Sequence, residues 1–187
     1  MTSLSYTAIA QTNQPTNQQT PTTRPATPSN STQLSDFDRA FVTQAAQSNL
    51  AEVELSQVAL KQASSDQVRQ YAQHMIDEHT KANARLMQLL KQNGITLVRP
   101  QLDAKHQAIR AQLVQLTGQQ FDQQYMDVMR EDHVVTVALF QQAAQKLQHP
   151  DLRAFAKNTL PNLQNHLQMA QAMTGNNAAG NQNTPSR

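Results

Sequence analysis

The chain has no cysteine and no tryptophan among its 187 residues. Without thiols there are no disulfides, no thiolate nucleophile and no thiolate metal ligand. That absence suits an oxidising compartment without proving one. Glycine is almost as scarce, with four residues, and aromatics make up 4% of the chain. Charge is thin too: the formal net charge is +2, and the Lys and Arg residues are scattered. No basic stripe of the kind that grips a phosphate backbone is present, so nucleic acid is not an expected partner. No apolar run is long enough to form a transmembrane helix. Neither a partner protein nor an oligomeric state can be read from the sequence.

What the chain has instead is Gln, Asn, Ser and Thr at its polar positions, and two stretches of tail composition. Residues 11–33 hold Pro15, Pro21, Pro25 and Pro28, with Arg24 as their one charge. Such a stretch buries too little apolar surface to offset its ordering entropy, and residues 1–33 read as a disordered N-terminal segment. Residues 175–187 read likewise as a disordered C-terminal tail. The first ten residues end in Ala8-Ile9-Ala10, the small-x-small pattern of a signal-peptidase site. No basic n-region and no full apolar h-region precede it. Two readings stand: chance, or a signal peptide whose beginning lies upstream of Met1.

Between the tails, apolar residues recur at steps of three and four, the helical period. Helix A is expected from Asp36 to Ala63, capped by Ser35 with Asp38 closing a capping box. Its stripe is Phe37, Phe41, Ala45, Ser48, Glu52, Leu55, Ala59. Helix B is expected from Asp66 to Asn93, with Val68, Ala72, Met75, His79, Ala82, Leu86 and Leu89 inward and Gly94 as its left-handed stop. A shorter helix follows from Leu102 to Thr117. Helix C is expected from Gln119 to Gln148, with Asp122, Met126, Met129, His133, Val137, Phe140, Ala144 and Leu147 inward. Helix D is expected from Asp151 to Met173, with Leu152, Phe155, Thr159, Leu163, His166, Ala170 and Met173 inward, a kink at Pro161 and Gly175 beyond its end. Short A–B and C–D turns make antiparallel pairs. The fold class is therefore all-α: an antiparallel four-helix bundle over residues 34–174, with an extra helix in the B–C connection.

Each long stripe carries one polar side chain near its middle: Glu52, His79, His133 and His166. The midpoint between Glu52 and His79 falls in the Ser64-Ser65-Asp66 break, and that between His133 and His166 at His149-Pro150. Residues equidistant from a hairpin turn sit at one height, here roughly 20–25 Å from the tip. One carboxylate and three imidazoles are thus expected in a single layer. That set suits one divalent transition metal such as zinc, copper, iron or manganese. It equally suits a buried hydrogen-bonded layer in which Glu52 pairs with an imidazolium. Glu78 and Asp132 neighbour two of the histidines and are candidates to steady them from the flank. Asp77 and Lys81 are expected to pair on an exposed face. His74, His106 and His149 lie off the stripes or in turns and are expected to be solvated. Met75, Met126 and Met129 read as core filler.

Ala51-Glu52-Val53-Glu54-Leu55, Asp77-Glu78-His79-Thr80, Gly118 with Phe121-Asp122 and Tyr125, Asp132-His133, and Leu160-Pro161 with His166-Leu167 resemble, in order and spacing, a bacterial ferritin-like domain-of-unknown-function family. Its members often carry an outer-membrane label. The resemblance implies a ferritin-like bundle and an exported protein, periplasmic or secreted. It brings no established activity. Ferritin-like di-iron proteins use Glu-x-x-His on two helices. Here the residues three before His79, His133 and His166 are Ile76, Arg130 and Leu163. That departure argues against ferroxidase chemistry and iron storage, and no catalytic residue is assigned. Three functions stay open: an exported, stress-related bundle with one mononuclear metal site; a structural or interaction protein of the cell envelope; and a metal-dependent redox enzyme.

Overall fold

The computed structural model describes residues 34–180, with side chains through Gly175. The expectations for residues 1–33 and 181–187 lie outside the described residues. Among the described residues there are five helices: α1 (Asp36–Gln62), α2 (Asp66–Gln92), α3 (Ala104–Leu113), α4 (Gly118–Lys146) and α5 (Pro150–Gly180). The short turns fold α1 on α2 and α4 on α5. α1 then lies beside α4, α2 touches α5, and α3 lies across α1 and α4. The result is an all-helical bundle, as the periodicity implied. No helix among the described residues is long and apolar enough to cross a membrane.

The ends follow local chemistry. Ser35 Oγ accepts from the Asp38 amide, and the Asp38 carboxylate accepts from the Ser35 amide. Asp38 is buried and also accepts from the amides of Gln148 and His149, tying the start of α1 to the α4–α5 turn. At the opposite end Asp122 accepts from the Ser64 amide and hydroxyl and from the Ser65 amide, holding the α1–α2 turn against α4. Gly94 adopts φ +64° and closes α2. The Ile95 amide reaches Leu90 O and the Gly94 amide reaches Lys91 O, the double bond of a Schellman motif.

Three details differ from the sequence reading, the first being that α3 spans Ala104–Leu113 rather than Leu102 to Thr117. α5 runs through Gly175 to Gly180 and does not end at Met173. A glycine costs a helix only about 1 kcal/mol, and no proline follows until Pro185. Residues 175–180 are accordingly helical rather than tail. On α2, Lys81 pairs with Glu78 at 2.9 Å, not with Asp77, which accepts from Gln73 instead.

The core falls into two apolar clusters. One gathers Phe41, Leu86, Phe140, Leu152 and Phe155 toward the α4–α5 turn. The other gathers Leu55, Tyr71, Met75, Phe121, Tyr125, Met126 and Met129 toward the α1–α2 turn. Between them, at mid-height, the buried positions are polar: Asn49, Glu52, His79, His133 and His166.

Candidate metal centre

His79 comes from α2, His133 from α4 and His166 from α5, each held on the inward stripe of its helix. All three are at least 97% buried. Their ring centroids form a near-equilateral triangle of 5.6, 5.3 and 5.4 Å. One ligating nitrogen from each ring lies within 4.8 Å of the other two. His79 Nε2, His133 Nε2 and His166 Nδ1 are buried and have no hydrogen-bond partner.

The other nitrogens explain the orientation. His133 Nδ1 donates to Met129 O at 2.8 Å, one turn back on its own helix. His79 Nδ1 donates to Asn49 Oδ1 at 2.9 Å. A ring protonated at Nδ1 presents a bare lone pair at Nε2. On both rings that Nε2 is buried and without a partner. Burial pushes His79 well below its ordinary value, helped by the other rings; burial also lowers His133, and it takes His166 to about 3. The triangle is a set of neutral imidazoles, the form that binds metal.

Glu52 reaches the layer but stands apart from the ligating set. Its Oε1 lies 3.6 Å from His133 Nδ1, the nitrogen that donates to Met129 O. Its Oε2 is buried without a partner. Burial, reinforced by the Asp132 charge, raises its carboxyl well above the usual range. Hairpin spacing sets the height of a residue but not its direction around the helix, and α1 brings Glu52 to the Nδ1 side of the His133 ring.

The flanking carboxylates do not touch the ring nitrogens of the triangle. Glu78 bonds Lys81 and lies 3.5 Å from the Asn162 amide. Asp132 accepts from Lys105 Nζ at 2.6 Å and from His106 Nε2 at 3.3 Å. His106 is not solvated: it also bonds Asp103 at 2.8 Å, and the two carboxylates hold its ring above the ordinary histidine value. His149 is buried beside the α4–α5 turn. His74 is half-buried, with its ring edge-on to His166 at 5.3 Å. These are corrections to the sequence reading, and each arises from a tertiary contact that helical phase does not encode. Asn49 is a further residue that the sequence reading passed over. Its one signal was a place three residues before Glu52 on the same helix face.

The arrangement is shared at the level of fold. A DUF305 fragment from Deinococcus radiodurans superposes with a TM-score of 0.68 at 16% identity, covering 76% of this chain and 98% of that one. A "putative secreted protein DUF305" from Streptomyces coelicolor gives a TM-score of 0.63 at 14% identity, over 73% and 89% of the two chains. No protein of curated function matches the chain. A family profile described as "Domain of unknown function (DUF4142)" covers residues 23–173, and the chain belongs to that family.

Proposed function

We propose that the chain is an exported helical bundle that carries one first-row transition metal ion on His79, His133 and His166. The observation that carries this reading is the buried cluster of three imidazoles, which each keep one nitrogen without a partner and whose ligating nitrogens lie within 4.8 Å of one another. Buried polar atoms are almost always satisfied, and one metal ion would satisfy all three unpartnered nitrogens at once. Nitrogens on one tetrahedral ion sit roughly 3.3 Å apart, so the rings would close by about 1.5 Å from their present spread. An all-imidazole set favours copper or zinc over manganese by the usual affinity order. Glu52 would serve as the counter-charge behind His133 rather than as a ligand. Export draws on the family resemblance and on the secreted description of the Streptomyces relative.

A second reading has its own support. Asn49 and Met129 O satisfy one nitrogen each of His79 and His133, as a purely structural polar layer would require. That reading leaves one buried nitrogen of each ring without a partner. Titration of the apo chain with Zn2+ and Cu2+, followed by calorimetry and elemental analysis, separates the two. One equivalent, lost in both His79→Ala and His166→Ala and kept in His106→Ala, supports the metal site. No stoichiometric binding of zinc, copper, iron or manganese supports the structural layer.

A further inference from the structure

The histidine triangle is closed on most sides. Along the bundle axis the two apolar clusters lie above and below it. From α1, Glu52 stands against His133. The seam between α2 and α5 is different. These two helices touch less than the other neighbouring pairs of the four long helices, and polar residues line their boundary. α2 contributes His74 and Glu78, one turn apart, and α5 contributes Asn162 and His166, also one turn apart. The His74 ring meets the His166 ring at 5.3 Å, as close as any two rings of the triangle. Glu78 Oε2 lies 3.5 Å from Asn162 Nδ2, which is long for a hydrogen bond. Glu78 and Asn162 also wall a cavity of about 20 Å3, together with Asn49, His79 and His166. That is room for about one water molecule.

We propose that this seam is the loading route of the metal centre, with His74 as a transient ligand that takes the ion at the surface and passes it to His166. The route rests on the metal-centre reading of the triangle. His74 is half-buried while His166 is 3% exposed, so the two rings span the step from solvent to core. His166 is the shared neighbour, since it meets His74 as well as both other rings. His74 itself stays outside the set whose nitrogens lie within 4.8 Å of one another, which suits a stop on the way rather than a final ligand. The transfer is a ligand exchange, in which one imidazole–metal bond breaks as another of the same type forms. A dication that crossed the apolar clusters instead would shed its water with nothing to replace it. Glu78 is held by Lys81 at 2.9 Å, so it serves with Asn162 as polar lining and not as a ligand.

The test follows Zn2+ and Cu2+ exchange between the full chain and a chromophoric chelator by stopped flow, with affinity taken from calorimetry. In His74→Ala, uptake and release should both slow about tenfold, because a group on the path changes the barrier and not the end states. Stoichiometry and Kd should stay at the parent values. His74→Gln keeps size and polarity but is a much poorer ligand, and should be as slow as His74→Ala. His74→Cys restores a metal-binding side chain and should recover most of the rate. His106→Ala, on the α3 side of the bundle, should load at the parent rate. Unchanged rates in His74→Ala, or a His74→Gln as fast as the parent, would overturn the route and leave the metal centre standing. Loss of stoichiometric binding in His74→Ala would make His74 a ligand of the resting ion and overturn the route in the same way. Failure of the parent chain to bind either ion would defeat the metal-centre reading itself, and the route with it.

Discussion

The Nδ1 of His133 donates to the backbone carbonyl of Met129 at 2.8 Å. A carbonyl can only accept, so the proton on this ring is fixed at Nδ1 and its Nε2 is left as an acceptor. The tautomer is therefore set by α4 itself, before any other helix packs. His79 reaches the same state through Asn49 of α1. The centre is pre-arranged by one local bond and one tertiary bond. Asn49→Ala should consequently weaken metal binding about tenfold while leaving all three ligands in place, which calorimetry would show.

The apo bundle should lose stability in mild acid. His79, His133 and His166 have folded values below the ordinary 6.5. The unfolded chain therefore takes up protons near pH 6.5 that the folded chain refuses. Their contribution is complete above that pH and is lost as pH falls toward about 3. Glu52 acts in the opposite sense, because its folded value is raised: its contribution is complete below about 4.5 and lost as pH rises through the folded value. Three imidazoles outnumber one carboxyl, so the melting temperature should drop between pH 6.5 and 5. Bound metal should steepen the drop, since protonated imidazole cannot ligate. A flat melting curve across that window would show that the rings titrate normally.

α3 should respond to pH in the reverse direction. His106 is raised by Asp132 and Asp103, so its stabilisation is complete below pH 6.5 and is lost as pH rises through the folded value. α3 has one fully buried side chain, Leu113, near its far end. Its first turns are therefore expected to loosen first. Amide exchange in residues 104–108, corrected for intrinsic rates, should accelerate above neutral pH. His106→Ala should abolish that pH dependence.

Phe41 and Phe140 pack edge to face at 5.1 Å, 1% and 3% exposed. Truncating either to alanine should cost about 3–5 kcal/mol. The double variant should cost less than the sum, because the two share one cavity. Losses under about 1 kcal/mol in denaturant unfolding would contradict the assigned burial.

Helical phase carried most of the fold. Phe41, Leu55, Met75, Met129, Phe140 and Leu152 repeat at three and four and are all buried. Hairpin symmetry also placed the three histidines at one height. What phase could not carry was contact between helices at unrelated sequence distance. His106 and Asp132 are 26 residues apart, and neither has an apolar pattern that points at the other. Asp38 looked like a cap alone, yet it also serves the α4–α5 turn 110 residues away. Glu52 shows the same limit within the site, since its height was legible and its azimuth was not.

Two tyrosines give the sharpest contrast for a stability test. Tyr125 OH and Ser56 Oγ share a buried hydrogen bond of 2.8 Å. The hydroxyl of Tyr71, whose ring meets that of Tyr125 at 6.3 Å, is buried with no partner. Burial keeps both phenols neutral, with the nearby Glu52 opposing their ionisation. Replacing each by phenylalanine removes one oxygen and keeps the ring packing. In Tyr125→Phe the Ser56 hydroxyl loses its partner at full burial, which should cost about 1–3 kcal/mol. In Tyr71→Phe no partner is lost and a desolvation penalty disappears, so stability should be unchanged or higher by up to about 1 kcal/mol. Adding Ser56→Ala to Tyr125→Phe should recover part of the loss, since both ends of the bond are then gone. Urea unfolding of the three variants beside the parent chain measures all of these differences. A Tyr71→Phe loss as large as that of Tyr125→Phe would mean that the Tyr71 hydroxyl has a partner.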